Sequence, residues 1–398
     1  MKILVVCQHY WPEPFRLADI CEELTARGHT VHVLTGVPNY PAGRIFPEYT
    51  RGQNRGQLRN GVKIHRSFTI GRRNNLLFRV LNYYSFALSA VAYERRMVEE
   101  FDVVLAYQSS PVMMAWAALD YGKRHRIPVL LYSMDLWPNS LHAGGITSES
   151  PIYRYYHKVS ERIYRGADQV VVSSRGFSDY LSGSLGVEPE RLSYLPQYAD
   201  HCFEPGLVRK SDGLNLVFAG NVGVAQNLSV VLEAAGLLKG KYSVRWHIVG
   251  MGSELEHLRK MAAKAGLDNV LFHGYQSGDA LKEFYQMADA MLITMTEDPV
   301  LSLTLPMKIM SYLASGKPVI ASANGEIANV IRDADCGYCA GAGDAAGLAE
   351  AVCAFVRDPR RETLGENARR YYETHFTRER FMDELERKLR DLAERGRT

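Results

Sequence analysis

Short apolar runs alternate with segments of helical period along almost the whole chain of 398 residues. The run Ile3–Cys7 is followed by the helical pattern Phe15–Arg27, and the run Leu214–Ala219 is followed by the pattern Leu228–Leu238. Strands that are apolar at every position are buried on both faces, and the helices between them cover those faces. The sequence therefore predicts an α/β protein with parallel sheets.

The same alternation continues between these examples. The other predicted strands are Thr30–Thr35, Val62–Ser67, Val103–Tyr107, Val129–Ser133, Gln169–Ser173, Leu192–Leu195, Val244–Val249, Val270–His273, Met291–Thr294 and Pro318–Ser322. The other predicted helices are Val112–Arg124, Ile152–Tyr164, Glu254–Ala265, Ala280–Met287, Met307–Ala314, Ile327–Arg332 and Arg378–Leu392.

One stretch breaks the alternation. Pro196–Gly213 lacks periodicity and is rich in turn-forming residues. Since a domain has roughly 100–200 residues, we expect two Rossmann-like doubly wound domains that face a cleft at the carboxyl ends of their strands. The predicted parts are an N-terminal domain 1–196, a linker 197–213, a C-terminal domain 214–375, and a helical segment 376–398 that packs back toward the N-terminal domain.

Composition argues against several classes of protein. A hydrophobic fraction of 46% and a net charge of +3 are ordinary for a globular protein. No stretch reaches the roughly 18 apolar residues of a membrane span, and Met1–Cys7 is too short for a signal peptide. The six cysteines are scattered, and no Asp-x-Asp lies in a loop suited to a metal. We expect a cytoplasmic protein with no cofactor and no bound metal.

Three glycine-containing turns follow strands of the C-terminal half. The first is Gly220-Asn221-Val222-Gly223, followed by Gln226 and a helical pattern, and the others are Val249-Gly250 with Gly252, and Gly274-Tyr275. Glycine lets the backbone approach a ligand closely, and free N–H groups at a helix start favour an anion. Because parallel strands end at the same edge of a sheet, the three turns together predict a phosphate-binding rim.

A fourth element, Leu305–Ile320, consists of a helical pattern followed by a buried strand. Pro306 stands near the start of the helix and Gly316 just after its end, as helix capping favours. Lys308 lies in the first turn, where the helix dipole disfavours a cation. A bound diphosphate would relieve that conflict, whereas a solvated surface lysine is the plain alternative.

These motifs together resemble the retaining glycosyltransferases of sequence family four, which have the GT-B fold. The likeness is strongest to the branch that builds bacterial surface polysaccharides and includes fucosamine transferases, and it runs over the full length of the chain. The motifs that carry it are Gly28-His29-Thr30-Val31, Pro38-Asn39-Tyr40-Pro41 with Gly43, Asn60-Gly61-Val62, Asp135-Leu136-Trp137-Pro138, the turn with Gly220, Asn221 and Gly223, Asp289, Pro306 with Lys308, and Gly316-Lys317-Pro318.

The resemblance implies an enzyme that moves a sugar from a nucleotide-sugar substrate, favoured here as a UDP-sugar, without a metal and with retention of the anomeric configuration. The base would lie near Gly274-Tyr275-Gln276, and the ribose near Val249-Gly250 and the helix from Met307. The diphosphate would contact the Gly220–Gly223 turn and Lys308. Fixed donors and cations around the leaving group would be the main catalytic device.

The N-terminal half would bind the acceptor. Asp135, after the predicted strand Val129–Ser133, is the best side-chain candidate for catalysis, although a turn cap is an equal alternative. Arg16 would contact phosphate or acceptor. In the C-terminal half, Glu326 would hold hydroxyls of the donor sugar.

Two departures from the family pattern leave alternatives open. Many members have glutamates where this chain has Leu303 and Ser311, and an arginine and a lysine where it has Asn221 and Gln226. Ser311 can offer the ribose only a neutral hydrogen bond. A nucleotide-sugar 2-epimerase and a non-catalytic GT-B partner subunit therefore remain alternatives to a transferase.

The stretch Tyr49–Tyr93 contains no aspartate or glutamate. Basic residues beside the apolar, aromatic segment Leu76–Tyr93 are typical of a surface that binds anionic lipid. We expect a peripheral protein at the inner face of the cell membrane that acts on a glycan or a polyprenyl-diphosphate-linked acceptor, and no nucleic-acid partner, while Leu76–Tyr93 as a buried helix is the alternative. The basic residues of the stretch are Arg51, Arg55, Arg59, Lys63, Arg66, Arg72, Arg73 and Arg79.

Overall fold

The computed structural model describes residues 1–73, 75–199 and 213–396, without the side chains of residues 143 and 144. Most of the predicted linker 197–213 therefore lies outside the described residues. The chain divides into two compact units. The first contains Met1–Ser173, Phe177–Leu195 and Met382–Thr398, and the second contains Ser174–Gly176 and Pro196–Phe381.

Each unit is built on its own sheet. The strands of the first unit are β1 Lys2–Val6, β2 Thr30–Thr35, β3 Gly56–Arg59, β4 Val62–Arg66, β5 Val103–Gln108, β6 Val129–Ser133, β7 Gln169–Val172 and β8 Leu192–Tyr194. The strands of the second unit are β9 Leu214–Ala219, β10 Val244–Val249, β11 Val270–Gly274, β12 Ala290–Thr294, β13 Val319–Ser322 and β14 Gly337–Ala340.

Helices connect most of these strands. They are α1 Leu17–Ala26, α2 Leu76–Glu94, α3 Trp116–His125, α4 Pro151–Gly166, α5 Gly176–Leu185, α6 Ser229–Leu238, α7 Leu255–Lys264, α8 Gly278–Met287, α9 Pro299–Ser302, α10 Lys308–Ala314, α11 Glu326–Ala334, α12 Ala345–Arg357, α13 Arg361–His375 and α14 Arg378–Arg395. In the described residues, no helix has both the length and the apolar character that crossing a bilayer requires.

The second sheet has the strand order β11-β10-β9-β12-β13-β14, with all pairs parallel. Numbered within the unit, this is the order 3-2-1-4-5-6 of a Rossmann fold. The order reverses between β9 and β12, and at such a switch point the connections leave to opposite faces and open a crevice. The residues after β9 therefore occupy the position where this fold binds ligands.

The first sheet has the order β3-β4-β2-β1-β5-β6-β7-β8 and a switch point between β1 and β5. Its neighbours pair in parallel, except that β3 pairs antiparallel with β4. The expectation of a wholly parallel sheet is wrong at this edge, because the tight turn at Asn60-Gly61 folds a short hairpin. The residues after β1 lie at the switch point of this unit.

Burial on both faces explains why these strands could be predicted from the sequence. Every residue of β9 is buried, and so are four of the five residues of β1. In β9, Leu216 and Phe218 pack into the core on the side of α6 and α12, while Val217 and Ala219 pack into the core with α10. Because both faces are covered, each strand is a continuous apolar run, and the predicted α/β class is confirmed.

Helix α14 contributes its residues from Met382 onward to the first unit. Glu386 accepts hydrogen bonds from Nε2 of His29 (3.0 Å), from Arg27 (3.1 Å) and from Arg390 (2.6 Å). Burial acts to raise the pKa of Glu386, but these hydrogen bonds outweigh it and hold the pKa at about 2. The carboxylate thus ties the C-terminal helix to the end of α1.

Some helices and strands of the structure differ from the predicted ones. The strands β3 and β14 and the helices α5, α9, α12 and α13 are absent from the prediction. Of these, β3, β14 and α9 have only four residues each, too few to show a period in the sequence. The predicted helix Val112–Arg124 begins as a 3-10 turn over Val112–Ala115 and continues as α3. The predicted strand Thr30–Thr35 and the predicted strand Leu214–Ala219 agree residue for residue with β2 and β9.

We expect Glu386→Gln to lower the free energy of unfolding at pH 7 by about 2 kcal/mol, since charge-assisted hydrogen bonds are lost. A carboxyl pKa that is depressed by folding stabilises the protein above its ordinary value and loses this effect as the pH falls toward the folded value. The difference between wild type and variant should therefore shrink between about pH 4.5 and pH 2. Urea titrations of both proteins at several pH values measure this difference in the free energy of unfolding.

Asp391→Asn is the matched control, because Asp391 pairs with Arg387 on the exposed side of the same helix. Such a surface pair contributes less than about 1 kcal/mol. Equal effects of the two substitutions would contradict the role assigned to Glu386.

Candidate functional site

Three turns of the second unit lie together at the carboxyl ends of neighbouring strands. The backbone N–H of Gly220 donates to the carbonyl of Val249 (2.9 Å), and the N–H of Gly250 donates to the carbonyl of Gly274 (2.8 Å). The N–H of Val222 donates to the carbonyl of Met251 (2.8 Å). The turns after β9, β10 and β11 therefore form one continuous rim.

Two of the glycines are required by close packing at this rim. A Cβ at Gly250 would lie 1.8 Å from the carbonyl oxygen of Gly220, which is impossible without moving the backbone. A Cβ at Gly220 would lie 3.0 Å from Nζ of Lys308. Both residues have positive φ, +152° for Gly220 and +142° for Gly250, which disfavours any side chain. The rim is therefore bare backbone directly beside a lysine.

The turn after β9 differs from its prediction in one respect. A 3-10 turn, Val224–Gln226, separates Gly223 from α6, which begins only at Ser229. The predicted helix Leu228–Leu238 agrees with α6 to within one residue, and the 3-10 turn is the feature that the sequence did not predict. The 3-10 turn is held to β12, because the carbonyl of Gln226 accepts a hydrogen bond from Oγ1 of Thr294. The side chains of Asn221 and Gln226 join across the turn, with 3.4 Å between Nδ2 and Oε1.

Tyr312 fixes α10 against the end of β9. Its hydroxyl accepts a hydrogen bond from the N–H of Ala219 (2.9 Å) and donates to the carbonyl of the same residue (3.0 Å). Tyr312 is fully buried, and burial raises its pKa. Because Lys308 is the first residue of this short helix, the contact holds Lys308 beside Gly220.

Lys308 is a buried cation without a counter-charge. Nζ is shielded from solvent and has no hydrogen-bond partner among the described residues. It lies 4.2 Å from the ring centroid of Phe218, and burial lowers the pKa of Lys308 to about 8. Burying an ammonium group without a partner costs free energy, and a bound anion would offset that cost. The arrangement can bind a phosphate between glycine backbone and lysine.

The other predicted donor-side residues are distributed around the same strand ends. Val249 is buried at the end of β10, and Tyr275 directly follows β11 with 73% of its surface exposed. Ser311 lies one turn after Lys308 in α10 and is buried. Glu326 begins α11, two strands away from β9 in the sheet order. Their roles in binding stay predictions.

In the first unit, Asp135 follows β6, next to the end of β5. Burial raises the pKa of its carboxyl above the ordinary value, against the effect of hydrogen bonds from Ser140, Ser110 and the following backbone. Oδ1 of Asp135 accepts from Oγ of Ser140 at 2.7 Å. These donors fit the turn-anchoring role as well as they fit catalysis, and the catalytic role of Asp135 stays a prediction.

The predicted basic residues of the first unit occupy different environments. Arg16 precedes α1, and Arg72 is half-buried, with its backbone N–H donating to Oδ1 of Asn39 (3.2 Å). Arg73 and Arg79 are exposed, and the guanidinium of Arg73 lies 4.1 Å from the ring centroid of Phe78.

Arg66 is a correction to the basic surface expected over Tyr49–Tyr93. It is fully buried, and it donates to the carbonyl of Trp11 (2.6 Å) and to that of Gly36 (3.3 Å). Its guanidinium group therefore binds backbone carbonyls inside the first unit and cannot contact lipid. Burial lowers its pKa. The sequence missed this because position in a basic run says nothing about which side chain turns inward.

Sequence reasoning also missed a pair at the switch point of the first unit. Nδ1 of His9 lies 3.1 Å from both carboxylate oxygens of Glu13, and both residues are buried. The available signal was a glutamate between two prolines, Pro12 and Pro14, just after a buried strand. In the described part of the chain, no group of three or more histidine, cysteine, aspartate or glutamate side chains is arranged to hold a metal.

Comparison with known families matches both halves of the chain. Residues 15–197 match the family described as glycosyl transferase 4-like domain, and residues 205–371 match the family described as glycosyl transferases group 1. The Escherichia coli protein WcaI, named as a colanic acid biosynthesis glycosyl transferase, is 26% identical over 344 residues, which cover 81% of this chain and 83% of the relative.

Solved structures show the same fold. Sucrose-phosphate synthase from Thermosynechococcus elongatus superposes with a TM-score of 0.76 at 17% identity, over 98% of each chain. Anabaena HepE in complex with UDP superposes with a TM-score of 0.71 at 14% identity, over 98% of this chain and all of that one. The GT-B fold expected from the sequence is therefore confirmed.

We expect Lys308→Met to raise the free energy of unfolding of the unliganded protein at pH 7 by about 1–2 kcal/mol, since methionine keeps the contact with Phe218 and removes a buried charge. A lysine with a depressed pKa carries this cost in full below about pH 8 and loses it as the pH rises toward 10.5. Urea titrations at pH 7 and at higher pH should therefore show a shrinking difference.

Lys317→Met is the matched control. Lys317 is also buried, but its Nζ donates to the carbonyls of Gln286 (3.0 Å) and Ala288 (2.8 Å). Its removal leaves two carbonyls unpaired and should destabilise the protein. A destabilising effect of both substitutions would contradict the description of Lys308 as uncompensated.

Proposed function

A chain whose two halves match the glycosyl transferase 4-like domain and the glycosyl transferases group 1 belongs to the glycosyltransferases, and on that premise we propose that it moves a sugar from a UDP-sugar to an acceptor at the membrane surface. Within the glycosyltransferases, the proposal places it in the retaining, fucosamine-transferase-like branch.

The uncompensated Nζ of Lys308 is the observation that carries the donor side of this proposal. The diphosphate of the donor would lie against the rim at Gly220 and Gly250, where no Cβ keeps it away from the backbone. Lys308 would then gain the counter-charge that the described residues do not supply. Support for UDP comes from HepE, whose solved complex contains UDP in a similar fold.

The chemistry follows from the leaving group. Sugar transfer passes through an oxocarbenium-like state while negative charge grows on the departing diphosphate. Fixed N–H groups and a cation that were in place beforehand stabilise that charge without reorganisation. Lys308 and the rim supply both within one unit, so the proposal requires no bound metal. Retention of the anomeric configuration follows the resemblance to family four.

We expect UDP to raise the melting temperature of the protein, and added EDTA to leave this shift unchanged. Lys308→Met should weaken UDP binding by roughly 10–100-fold, since a charge-assisted contact is worth about 1.5–3 kcal/mol, and should leave uridine binding nearly unchanged. The lysine is charged below its pKa of about 8, so wild-type affinity for UDP should fall as the pH rises above that value. Thermal melts measure the shift with UDP and the effect of EDTA, and calorimetric titration measures the affinities for UDP and uridine and their dependence on pH.

Several outcomes would contradict the donor proposal. Loss of UDP stabilisation in EDTA would indicate a metal-held diphosphate. Equal effects of Lys308→Met on UDP and uridine would show that Lys308 does not contact phosphate. Conversion or hydrolysis of UDP-sugars without an acceptor would indicate an epimerase rather than a transferase.

The proposed acceptor is a glycan or a polyprenyl-diphosphate-linked sugar in the synthesis of a bacterial surface polysaccharide, such as a capsule or exopolysaccharide. Support comes from WcaI, whose name assigns it to colanic acid biosynthesis. A lipid-linked acceptor presents its diphosphate and sugar at the membrane surface while its tail stays in the bilayer. The protein would then act as a peripheral protein at the inner face of the cell membrane.

Helix α2 offers the surface that such an acceptor requires. Phe86 and Ala90 of α2 are buried in the first unit, but Leu76, Leu77 and Leu88 on its other side are exposed by 60% or more. Exposed Arg73 and Arg79 flank this apolar side. A helix that shows apolar residues to solvent beside arginines is typical of a surface that inserts into anionic lipid.

Helix α4 extends this surface. The hydroxyl of Tyr84 in α2 lies within hydrogen-bond distance of Tyr155 (3.5 Å) and Tyr156 (3.3 Å) in α4. Ile152 and Tyr155 are exposed by more than half. The basic residues Arg154, Lys158 and Arg162 are exposed on the same helix. Two helices thus present aromatic, apolar and basic side chains together, which favours the membrane side of the proposal.

We expect the protein to co-sediment with vesicles of phosphatidylcholine that contain phosphatidylglycerol, more strongly at low salt. The double substitution Leu77→Ser with Leu81→Ser should weaken binding by about tenfold, because two exposed apolar side chains no longer insert. Arg73→Gln with Arg79→Gln should weaken it by about tenfold or more at low salt and by less at high salt.

Leu237→Ser is the matched control, since Leu237 is an exposed leucine in helix α6 of the second unit. It should leave vesicle binding unchanged. Binding that ignores both salt and anionic lipid, or that falls equally in all variants, would remove the membrane surface from the proposal.

A further inference from the structure

Two loops of the first unit lie against each other at the carboxyl edge of its sheet. One follows β2 and contains Gly43 and Arg44, and the other follows β4 and contains Gly71, Arg72 and Arg73. The backbone N–H of Arg73 donates to the carbonyl of Gly43 (2.8 Å). Because β2 and β4 are parallel neighbours, their loops meet at the edge where doubly wound sheets bind ligands.

Glycine allows the two loops to approach this closely. A Cβ at Gly43 would lie 2.8 Å from the backbone nitrogen of Arg73. A Cβ at Gly71 would lie 2.9 Å from the carbonyl oxygen of Gly43 and 3.7 Å from Cα of Arg44. Gly43 also has a φ of +72°, which disfavours a side chain. The close approach brings Arg44 of one loop next to Arg72 and Arg73 of the other.

Asn39 holds both loops from inside the unit. Its carbonyl accepts a hydrogen bond from the N–H of Gly43 (2.7 Å), and its Oδ1 accepts from the N–H of Arg72 (3.2 Å) and from Nδ2 of Asn82 in α2 (3.3 Å). Its own N–H donates to the buried carboxylate of Glu13 (2.8 Å). The backbone that carries the arginines is therefore fixed before a ligand binds, which reduces the entropy lost on binding.

The three arginines of these loops lack acidic partners. Residues 24–93 include one acidic residue, Glu48. Within the described part of the chain, none of the three arginines forms an ion pair. Arg44 and Arg73 are exposed and Arg72 is half-buried, so all three can be reached from solvent. Neighbouring cations without counter-charges repel one another, and a bound anion with several charges would relieve that repulsion.

The chemistry of the two loops suits a diphosphate attached to a lipid. A guanidinium donates two parallel hydrogen bonds to phosphate oxygens, and arginines from two loops can contact both phosphates of one ligand. The exposed apolar side of α2 begins directly after these arginines, at Leu76 and Leu77. The guanidinium of Arg73 lies over the ring of Phe78 in the first turn of that helix. A lipid tail that leaves the diphosphate would therefore meet an apolar surface.

We propose that Arg44, Arg72 and Arg73 bind the diphosphate of a polyprenyl-diphosphate-linked acceptor; this rests on the proposed function. The isoprenoid chain then passes Leu76 and Leu77 into the bilayer. The diphosphate of the acceptor stays intact during transfer, so these arginines anchor the acceptor and take no part in the chemical step. Their removal should raise the KM for the lipid-linked acceptor and leave kcat nearly unchanged.

The test is calorimetric titration with farnesyl diphosphate below its micelle concentration, in the presence of saturating UDP, which fills the phosphate rim of the second unit. Arg44→Gln with Arg72→Gln should weaken binding by roughly 100-fold, about tenfold for each charge-assisted contact. Lys308→Met, measured without UDP, should bind farnesyl diphosphate with the affinity of wild type, because that lysine belongs to the other site. Inorganic diphosphate should compete with the probe, and farnesol should not.

Arg96→Gln is the matched control. Arg96 is an exposed arginine that follows the other end of α2, and the 19 residues of this helix span about 28 Å. Its substitution also removes one positive charge from the first unit. It should leave the binding of farnesyl diphosphate unchanged.

Gly71→Ala separates a built site from a general attraction between charges. The variant keeps all three arginines, but its Cβ pushes the loops apart at the carbonyl of Gly43. We expect it to weaken the binding of farnesyl diphosphate by about tenfold, as the loss of one arginine contact does. Thermal melts check that the variant is folded. Arg44→Gln with Arg72→Gln should reduce binding to phosphatidylglycerol vesicles far less than it reduces binding of farnesyl diphosphate.

Each outcome either supports or overturns this site. If Arg44→Gln with Arg72→Gln binds farnesyl diphosphate as tightly as Arg96→Gln does, the arginines do not hold a diphosphate. Equal losses on vesicles and on farnesyl diphosphate would show a general anionic surface and overturn the site as well. Wild type that binds the probe through these arginines but transfers no sugar would remove the proposed function alone. Sugar transfer without binding of the probe would remove this site alone.

Discussion

Burial of parallel strands on both faces is the constraint on which the other features depend. Strands such as β1 and β9 have no polar side that could bind anything, so chemistry is confined to the turns at their ends. Parallel pairing then brings all carboxyl ends to one edge, and the reversal of strand order opens a crevice there. In each unit the residues after the first strand occupy that crevice: Gly220 in one and His9 in the other.

The buried charged groups in the two crevices differ in whether the described residues supply them with partners. In the second unit, Lys308 is buried beside bare backbone, and the described residues offer it no counter-charge. In the first unit, Glu13 is surrounded by three backbone donors and a histidine. An uncompensated charge favours a charged ligand, whereas a compensated one favours a fixed geometry.

Sequence pattern predicted much of the fold and part of the candidate site. Continuous apolar runs marked β2, β6, β9 and β10 to the residue, because strands buried on both faces cannot tolerate polar positions. The edge strands β3 and β14 were not predicted, since each has only four residues and none of them is fully buried. Gly220 and Lys308 were each predicted from a local pattern, a glycine turn after a buried strand and a cation in the first turn of a helix.

What the sequence by itself determined was the α/β class, the parallel strands and the glycine turns, because each depends on a local pattern of a few residues. Only the tertiary structure decided which polar groups lack partners and which are paired. Nothing local shows that Arg66 turns inward to Trp11, or that Asn39 and Tyr40 donate to Glu13 across 26 and 27 positions of sequence. Desolvation and hydrogen bonding depend on all atoms that surround a group, and most of those come from distant parts of the chain.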